Sequence, residues 1–219
     1  MLDDTALDLS GHQLAIIGAV LAQPQIRRGE VSEQLGISAQ TTMRAVLPLI
    51  KGGILAEDLA LGRGRGKPAR QLGFVTGSLA TVGISLAIDR VPVETRDLAG
   101  PHLASDNRSK TYHSAPVQLN DLDQLLETAM ADLPKMTRII GAGVSVQGYL
   151  MQRGTRFAAK ADPAGWANVD LISHLRDRLA IPVSLMNDGR TLASSLIRTS
   201  HYQDFICLHI GSGIGGGVV

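Results

Sequence analysis

Two short helical runs hinged at a glycine, then a β-prone segment and a cationic glycine-rich tip, constrain this chain more than any other feature. Val31 and Leu35 stand four apart and mark the buried stripe of the first run. Gly36 can take the left-handed conformation that ends a helix, and Ile37 then returns to the core. Ser38 suits the N-cap of the second run, where Thr42, Ala45, Val46 and Leu49 fall at i, i+3, i+4 and i+7. The opposite face carries Gln40, Thr41, Met43 and Arg44, small or polar groups of the kind that enter a DNA major groove. Ile54 and Leu55 follow, and then Gly-Arg-Gly-Arg-Gly-Lys-Pro-Ala-Arg over 62–70. This predicts a two-stranded wing whose flexible tip bears Arg63, Arg65 and Lys67. A helical hairpin or a solvated linker would explain either part alone. Together, in this order, they predict a winged helix-turn-helix that contacts double-stranded DNA. Pro48 opposes the pattern: inside the second run it removes a donor and crowds the carbonyl of Arg44, at about 3 kcal/mol. A kink or an early helix end is expected there.

Bulk charge offers DNA little help, because the net charge is only +1; affinity has to come from local clustering such as 62–70, which holds no acid. Aromatic residues are 3% of the chain, which argues against a stacking platform for single strands. At 44% hydrophobic, the core is aliphatic and alanine-based. The apolar runs at 79–88 and 205–219 are short and interrupted, and the opening Met-Leu-Asp-Asp is not a secretory pattern. With Cys207 as the single cysteine, a cytoplasmic location is expected.

An apolar helix is expected over 12–23, in front of the helix-turn-helix. Beyond the wing the character changes. Strands are expected at 79–89 and 91–98 around a tight turn, with a third near 111–117. Asn120 would cap a helix through Ala131, with Leu122, Leu125, Leu126 and Ala129 on one face. The small apolar stretch 139–146 suits a buried parallel strand, followed by a helix at 169–179, a strand at 181–186 and a helix at 191–198. Strands followed by alternating helix and strand predict an α/β domain with a mixed sheet. The second strand-to-helix step ends in Asn187-Asp188, placing an amide and a carboxylate at the carboxyl edge of the sheet, where ligands usually bind. On these residues alone, capping of the helix expected near Thr191 is the favoured reading of the pair. An amide and a carboxylate can also pair with adjacent hydroxyls of a ligand, and the acid could act as a general base.

Five pieces in sequence resemble the ROK family, which contains repressors, open reading frames and sugar kinases. They are the winged helix with its Gly-Arg-Gly-Arg tip, Gly-Ala-Gly-Val-Ser-Val-Gln-Gly at 141–148, Trp-Ala-Asn-Val-Asp-Leu at 166–171, Ile-Pro-Val-Ser-Leu-Met-Asn-Asp at 181–188, and His-Ile-Gly-Ser-Gly-Ile-Gly-Gly-Gly at 209–217. The resemblance implies an α/β fold with an N-terminal winged helix-turn-helix over 1–75. It implies an actin/hexokinase-like (ribonuclease H-like) first lobe over 76–200, and the start of a second lobe over 201–219. It assigns sugar binding to Asn187 and Asp188 and a phosphate-loop-like turn to Gly211, Gly213 and Gly215.

A ROK kinase resembles hexokinase in carrying Asp-x-Gly-Gly-Thr on the first hairpin of this domain. Here Ser85 stands in the place of that Asp, and Ala87, Ile88 and Asp89 replace Gly-Gly-Thr. A β-branched and an acidic residue would crowd and repel phosphate, so the expectation is a regulator with no catalytic residues; the alternative is a ROK sugar kinase with a winged-helix appendage. The family's fold continues through a Cys-x-Cys cluster that binds zinc, whereas this chain ends at Val219 with one cysteine. It is therefore read as lacking the C-terminal lobe, with no metal or cofactor of its own. Its expected partners are a double-stranded operator, a small sugar effector that this chain alone is expected to bind weakly or not at all, and further copies of itself, with no membrane.

Overall fold

The computed structural model describes residues 9–59, 70–100, 102–151, 154–158, 164–197, 204–210 and 214–218. The chain divides into two compact units, Met1–Ala80 with Asp97–Pro101 and Pro134–Ile140, and Thr81–Arg96 with His102–Leu133 and Gly141–Val219.

The first unit holds α1 (Gly11–Ala22), β1 (Ile26–Arg27), α2 (Arg28–Leu35), α3 (Ala39–Lys51), β2 (Leu55–Leu59) and β3 (Arg70–Phe74). Ser10 and Gln13 form a reciprocal capping box at the start of α1, which satisfies two orphan donors. Gly36, at φ 62°, ends α2, and Ser38 caps α3 by accepting from the Thr41 N–H at 3.1 Å. Thr42, Ala45, Val46 and Leu49 are buried on α3 as their spacing predicts. Burying Thr42 would be costly without partners; its hydroxyl meets Ser32 of α2 at 2.8 Å, which ties the two helices together. The three strands pair antiparallel in the order β1-β3-β2, and Leu72 lies fully buried at their centre.

The helix does not end early at Pro48; α3 continues to Lys51. Pro48 brings no N–H to the ladder, while its carbonyl still accepts from the Gly52 N–H at 2.8 Å. The next residue, Leu49, is 1% exposed, and its burial holds the last turn in place.

After β3 the chain turns at Gly77, whose φ of 79° favours glycine. Both backbone groups of Gly77 are held: its N–H donates to Asp97 Oδ2 at 2.5 Å and its carbonyl accepts from Thr137 Oγ1 at 3.0 Å. The second oxygen of Asp97 accepts from the Ala99 N–H at 2.8 Å, so this buried carboxylate is satisfied.

The main sheet has the order β10-β7-β4-β5-β6, formed by β4 (Leu79–Leu86), β5 (Arg90–Asp97), β6 (His102–Ser109), β7 (Arg138–Val146) and β10 (Val183–Asn187). β10 pairs parallel to β7 and β5 antiparallel to β6, giving the mixed sheet expected. A small hairpin, β8 (Tyr149–Met151) with β9 (Arg156–Ala158), follows β7. The helices of this part are α4 (Ala115–Ala131), α5 (Leu171–Leu179) and α6 (Asp188–Ile197). Asp123 of α4 meets His174 at 3.0 Å and Arg178 at 3.3 Å on α5, which places these helices side by side.

Three expectations are corrected. The third strand is 102–109, not 111–117, and α4 begins at Ala115, so Asn120 lies within the helix rather than capping it. Strand β6 pairs along β5, is mostly exposed and carries polar residues, so it has no alternating apolar signal. The β-prone run at 111–117 instead contains Pro116, whose missing donor costs nothing in a helix's first turn. Finally, the last of these helices starts at Asp188 rather than Thr191.

The approach to α4 is pinned from below. Buried Tyr112 donates its hydroxyl to Asp121 at 2.8 Å, and Lys110 Nζ lies 2.7 Å from the same carboxylate oxygen. The Lys110 contact holds the Asp121 carboxyl below the ordinary aspartate range against the opposing effect of burial, with Tyr112 adding to it. Burial first, then the bond to Asp121, pushes the Tyr112 hydroxyl above the usual tyrosine range.

A second hairpin, β11 (Ile206–Ile210) with β12 (Ile214–Val218), packs on α6 through glycine. A Cβ on Gly189 would sit 2.5 Å from the Gly216 carbonyl oxygen, and one on Gly217 would sit 2.7 Å from Ala193 Cβ. The other face of the hairpin leaves Ile206, Leu208, Ile210, Ile214 and Val218 exposed.

Candidate functional site

Two places gather the residues singled out from sequence. On α3, Gln40, Met43 and Arg44 are exposed, Met43 at 51%. Thr41 differs: it is half-buried, and its hydroxyl meets Ser38 Oγ at 2.9 Å as part of the cap. Arg63, Arg65 and Lys67 lie outside the described residues, in the connection between the antiparallel strands β2 and β3. Arg70, the last cation of that run, opens β3 and pairs with Glu57 at 3.5 Å; Arg28 pairs with the same glutamate.

The second place is a cleft of about 700 Å³ on one face of the main sheet, walled by α6. Ser85 of β4, Glu94 of β5, Ser145 of β7 and Ser184 of β10 all line it. Alternate residues of neighbouring strands share a face, so four separated segments supply one floor. Asp188 and His209 also line it, one from the first turn of α6 and the other from β11.

Asn187 and Asp188 part company. The Asn187 amide donates to the Gly148 carbonyl at 2.9 Å, and its Oδ1 accepts from the Gly189 N–H at 3.0 Å and the Arg190 N–H at 3.4 Å. Asn187 therefore caps α6 and ties it to the end of β7, and it is not among the residues lining the cleft. Asp188 accepts from the Gly189 N–H at 2.8 Å through Oδ1 and does line the cleft. Gly215 lies within β12 opposite His209, where an added Cβ would stand 3.9 Å from Asp188 Oδ1. Gly211 and Gly213 are outside the described residues.

The tip of the β4–β5 hairpin has its backbone groups engaged. The Ala87 N–H donates to the Arg90 carbonyl at 3.1 Å, and the Ile88 N–H to Gln147 Oε1 at 3.4 Å. The Ala87 carbonyl accepts from Gln118 at 2.7 Å; Gln118 in turn accepts from the Trp166 indole at 3.1 Å. Trp166 stacks on Phe157 with centroids 4.9 Å apart. Ala87 is buried, Ile88 and Asp89 are exposed, and Ser85 lines the cleft.

Residues 81–219 match the ROK family. The chain belongs to that family. It is 23% identical to the xylose repressor of Bacillus subtilis (strain 168) over 215 residues, covering 95% of this chain and 55% of the repressor. It is 31% identical to a β-glucoside kinase of Listeria monocytogenes over 108 residues, 48% of this chain and 37% of the kinase. Among solved structures, a ROK family transcriptional regulator, a homologue of the E. coli MLC protein, superposes with a TM-score of 0.70 at 17% identity, over 94% of this chain and 55% of that one. This likeness shows the fold: the sheet and helices of the second unit are the actin/hexokinase-like α/β arrangement of ROK proteins. The chain spans about half the length of these regulators.

Glu94, Ser145, Ser184 and His209 were not singled out from this ROK sequence. A lone acid between Val93 and Thr95 on a half-buried strand was the available signal for Glu94. No local pattern marks the serines. Among the described residues no group of three His, Cys, Asp or Glu side chains could hold a metal ion, and no helix is long and apolar enough to cross a membrane.

Proposed function

We propose that this ROK chain is a DNA-binding transcriptional regulator of sugar metabolism, acting as a repressor, whose first unit is a winged helix-turn-helix and whose second unit responds to a sugar. The exposed polar face of a capped, core-anchored α3, followed by antiparallel strands β2 and β3 that frame the basic segment, carries the reading. Arg44 and Gln40 are the residue types that read guanine and adenine edges, and Met43 offers an apolar contact for a thymine methyl. Arg63, Arg65 and Lys67 supply contacts to phosphate or the minor groove. The alignment with the xylose repressor runs through both units, while that with the β-glucoside kinase covers about half of the chain. The cytoplasm is the proposed location and a homo-oligomer the proposed form, with the exposed aliphatic face of β11 and β12 as one surface available for it.

One observation favours the alternative, a sugar kinase: Asp188 lies at the cleft where a general base would act. Against it stand Ser85 in the acid's place, and the Ala87 and Ile88 N–H groups already bonded within the protein. A phosphate needs such donors free.

The DNA test begins by selecting bound sequences from a random duplex pool. Arg44→Ala is expected to cost about 1–3 kcal/mol at the selected site and to relax its sequence preference. Arg65→Ala should weaken all sequences alike and flatten the salt dependence. Equal binding at moderate salt by wild type and an Arg63/Arg65 double alanine variant would sink the wing assignment. A coupled assay with ATP and a hexose panel should show no turnover; turnover abolished by Asp188→Asn would establish the kinase instead.

A further inference from the structure

We infer that Glu57 is a positioning residue for DNA binding: it fixes strands β2 and β3 against the first turn of α2, and with them the basic connection that carries Arg63 and Arg65. This rests on the DNA-binding reading of the first unit. Glu57 pairs in register with Leu72, and Leu72 with Ile26. Residues directly opposite on neighbouring strands share a face. Ile26 and Leu72 are fully buried, so Glu57 points from edge strand β2 toward the core side of the sheet. Its side chain is 9% exposed. A carboxylate held there is costly unless it is paired.

Both of its oxygens are paired, each with a different element. Oε1 meets the buried Nε of Arg28 in the first turn of α2, and Oε2 accepts from Arg70 Nη1 at 3.5 Å at the start of β3. Arg27, beside Arg28, has its own acid in Glu30, which lies 3.9 Å from the guanidinium and accepts the Arg27 N–H at 2.8 Å. Glu57 thus joins the helix to both strands of the hairpin. A two-stranded hairpin is marginal by itself and needs something to pack against. Buried Leu55 and Leu72 supply that in the core, and Glu57 carries the attachment one inward position beyond Leu55, toward the strand end from which the basic connection leaves. Electrostatics alone predicts the opposite sign for this residue: a carboxylate near a DNA face repels phosphate, so removing its charge would strengthen binding to every duplex.

The test uses the full chain and a duplex selected from a random pool. Glu57→Gln keeps the size of the side chain and removes its charge. It is expected to bind about fivefold more weakly, and the Arg63/Arg65 double alanine change should cost several-fold less in the Glu57→Gln background than in the wild type. Arg44→Ala should cost the same in both backgrounds, because α3 is held by its own buried face. Arg28→Gln breaks the same contact from the helix side and should show the same loss of coupling; it takes over if a thermal melt shows Glu57→Gln unfolded. Binding by Glu57→Gln as tight as the wild type's or tighter, with the Arg63/Arg65 cost undiminished, would overturn the inference and leave the DNA reading standing. If the Arg44→Ala cost shrinks as much as the Arg63/Arg65 cost, the whole unit has loosened and Glu57 has no positioning role. A wild-type chain that binds no duplex overturns the DNA reading itself, and this inference with it.

Discussion

The polar face of α3 and the Asn187-Asp188 pair both read from sequence as ligand-binding groups, yet the protein uses them differently. Met43 and Arg44 lie past the first turn of α3, where the backbone is already bonded within the helix, and with Gln40 they face solvent. Asn187 stands at a helix start, where the first N–H groups have no intrahelical partner. Its carbonyl oxygen takes two of them, and its amide reaches Gly148. Thr41, in the first turn of α3, has its hydroxyl drawn to the Ser38 cap. A polar side chain beside a helix start bonds the open N–H groups there first, and only what it has left over is available to a ligand.

The largest expected effect tests the packing that fixes Asp188. Gly189→Ala would gain up to about 1 kcal/mol of helix propensity, but its Cβ meets Gly216 backbone atoms at 2.5–2.8 Å. Backbone cannot swing aside as a side chain can, so a net loss of about 3 kcal/mol is expected in urea unfolding. A stability equal to wild type would mean that α6 and β12 are not held together as described.

Asn187→Ala should cost about 1–2 kcal/mol as a lost cap, with a smaller change for Asp188→Asn. The reverse order in a thermal melt would assign the capping role to Asp188 and return Asn187 to the list of ligand groups.

Acid stability should report the Asp121 anchor at about 1 kcal/mol. Its folded-state carboxyl titrates below its unfolded value, so its stabilising contribution is present above about pH 4 and fades as pH falls through the folded value. The gap in stability between wild type and Asp121→Asn should therefore be wide near neutrality and shrink in acid. A gap that stays constant on acidification would exclude the charged bond to Lys110 as its source.

Met43→Ala sharpens the comparison from the other side. Its exposed side chain should contribute no more than about 0.5 kcal/mol to folding, while DNA affinity falls. A Met43→Ala variant that unfolds more easily and binds DNA as before would place Met43 among packing residues.

The pair of helices α2 and α3 with the turn between them was legible because each of its signals acts within a few residues. Gly36 ends α2, Ser38 caps α3, and the Thr42-to-Leu49 stripe spans two turns. The first hairpin and the apolar strand β7 were legible for the same reason. Edge strand β6 was not, since pairing along one side leaves polar side chains acceptable on both faces. Nor was the helix start at Ala115, where Tyr112 is recruited by Asp121 rather than by a strand neighbour.

The sequence by itself determined the α2–α3 pair, the first hairpin of the second unit, the polar face of α3, and the replacement of the acidic and glycine positions at 85–89, because each depends on residue chemistry and short-range period. Only the tertiary structure decided what the polar residues at sheet ends do. Gly148 lies 39 residues from Asn187, and the cleft draws Ser85, Glu94, Ser145, Ser184 and His209 from five strands. Which side chain faces a cavity and which closes a helix depends on where distant segments arrive. Contacts of that span are set by the packing of whole strands and helices, which no local pattern encodes.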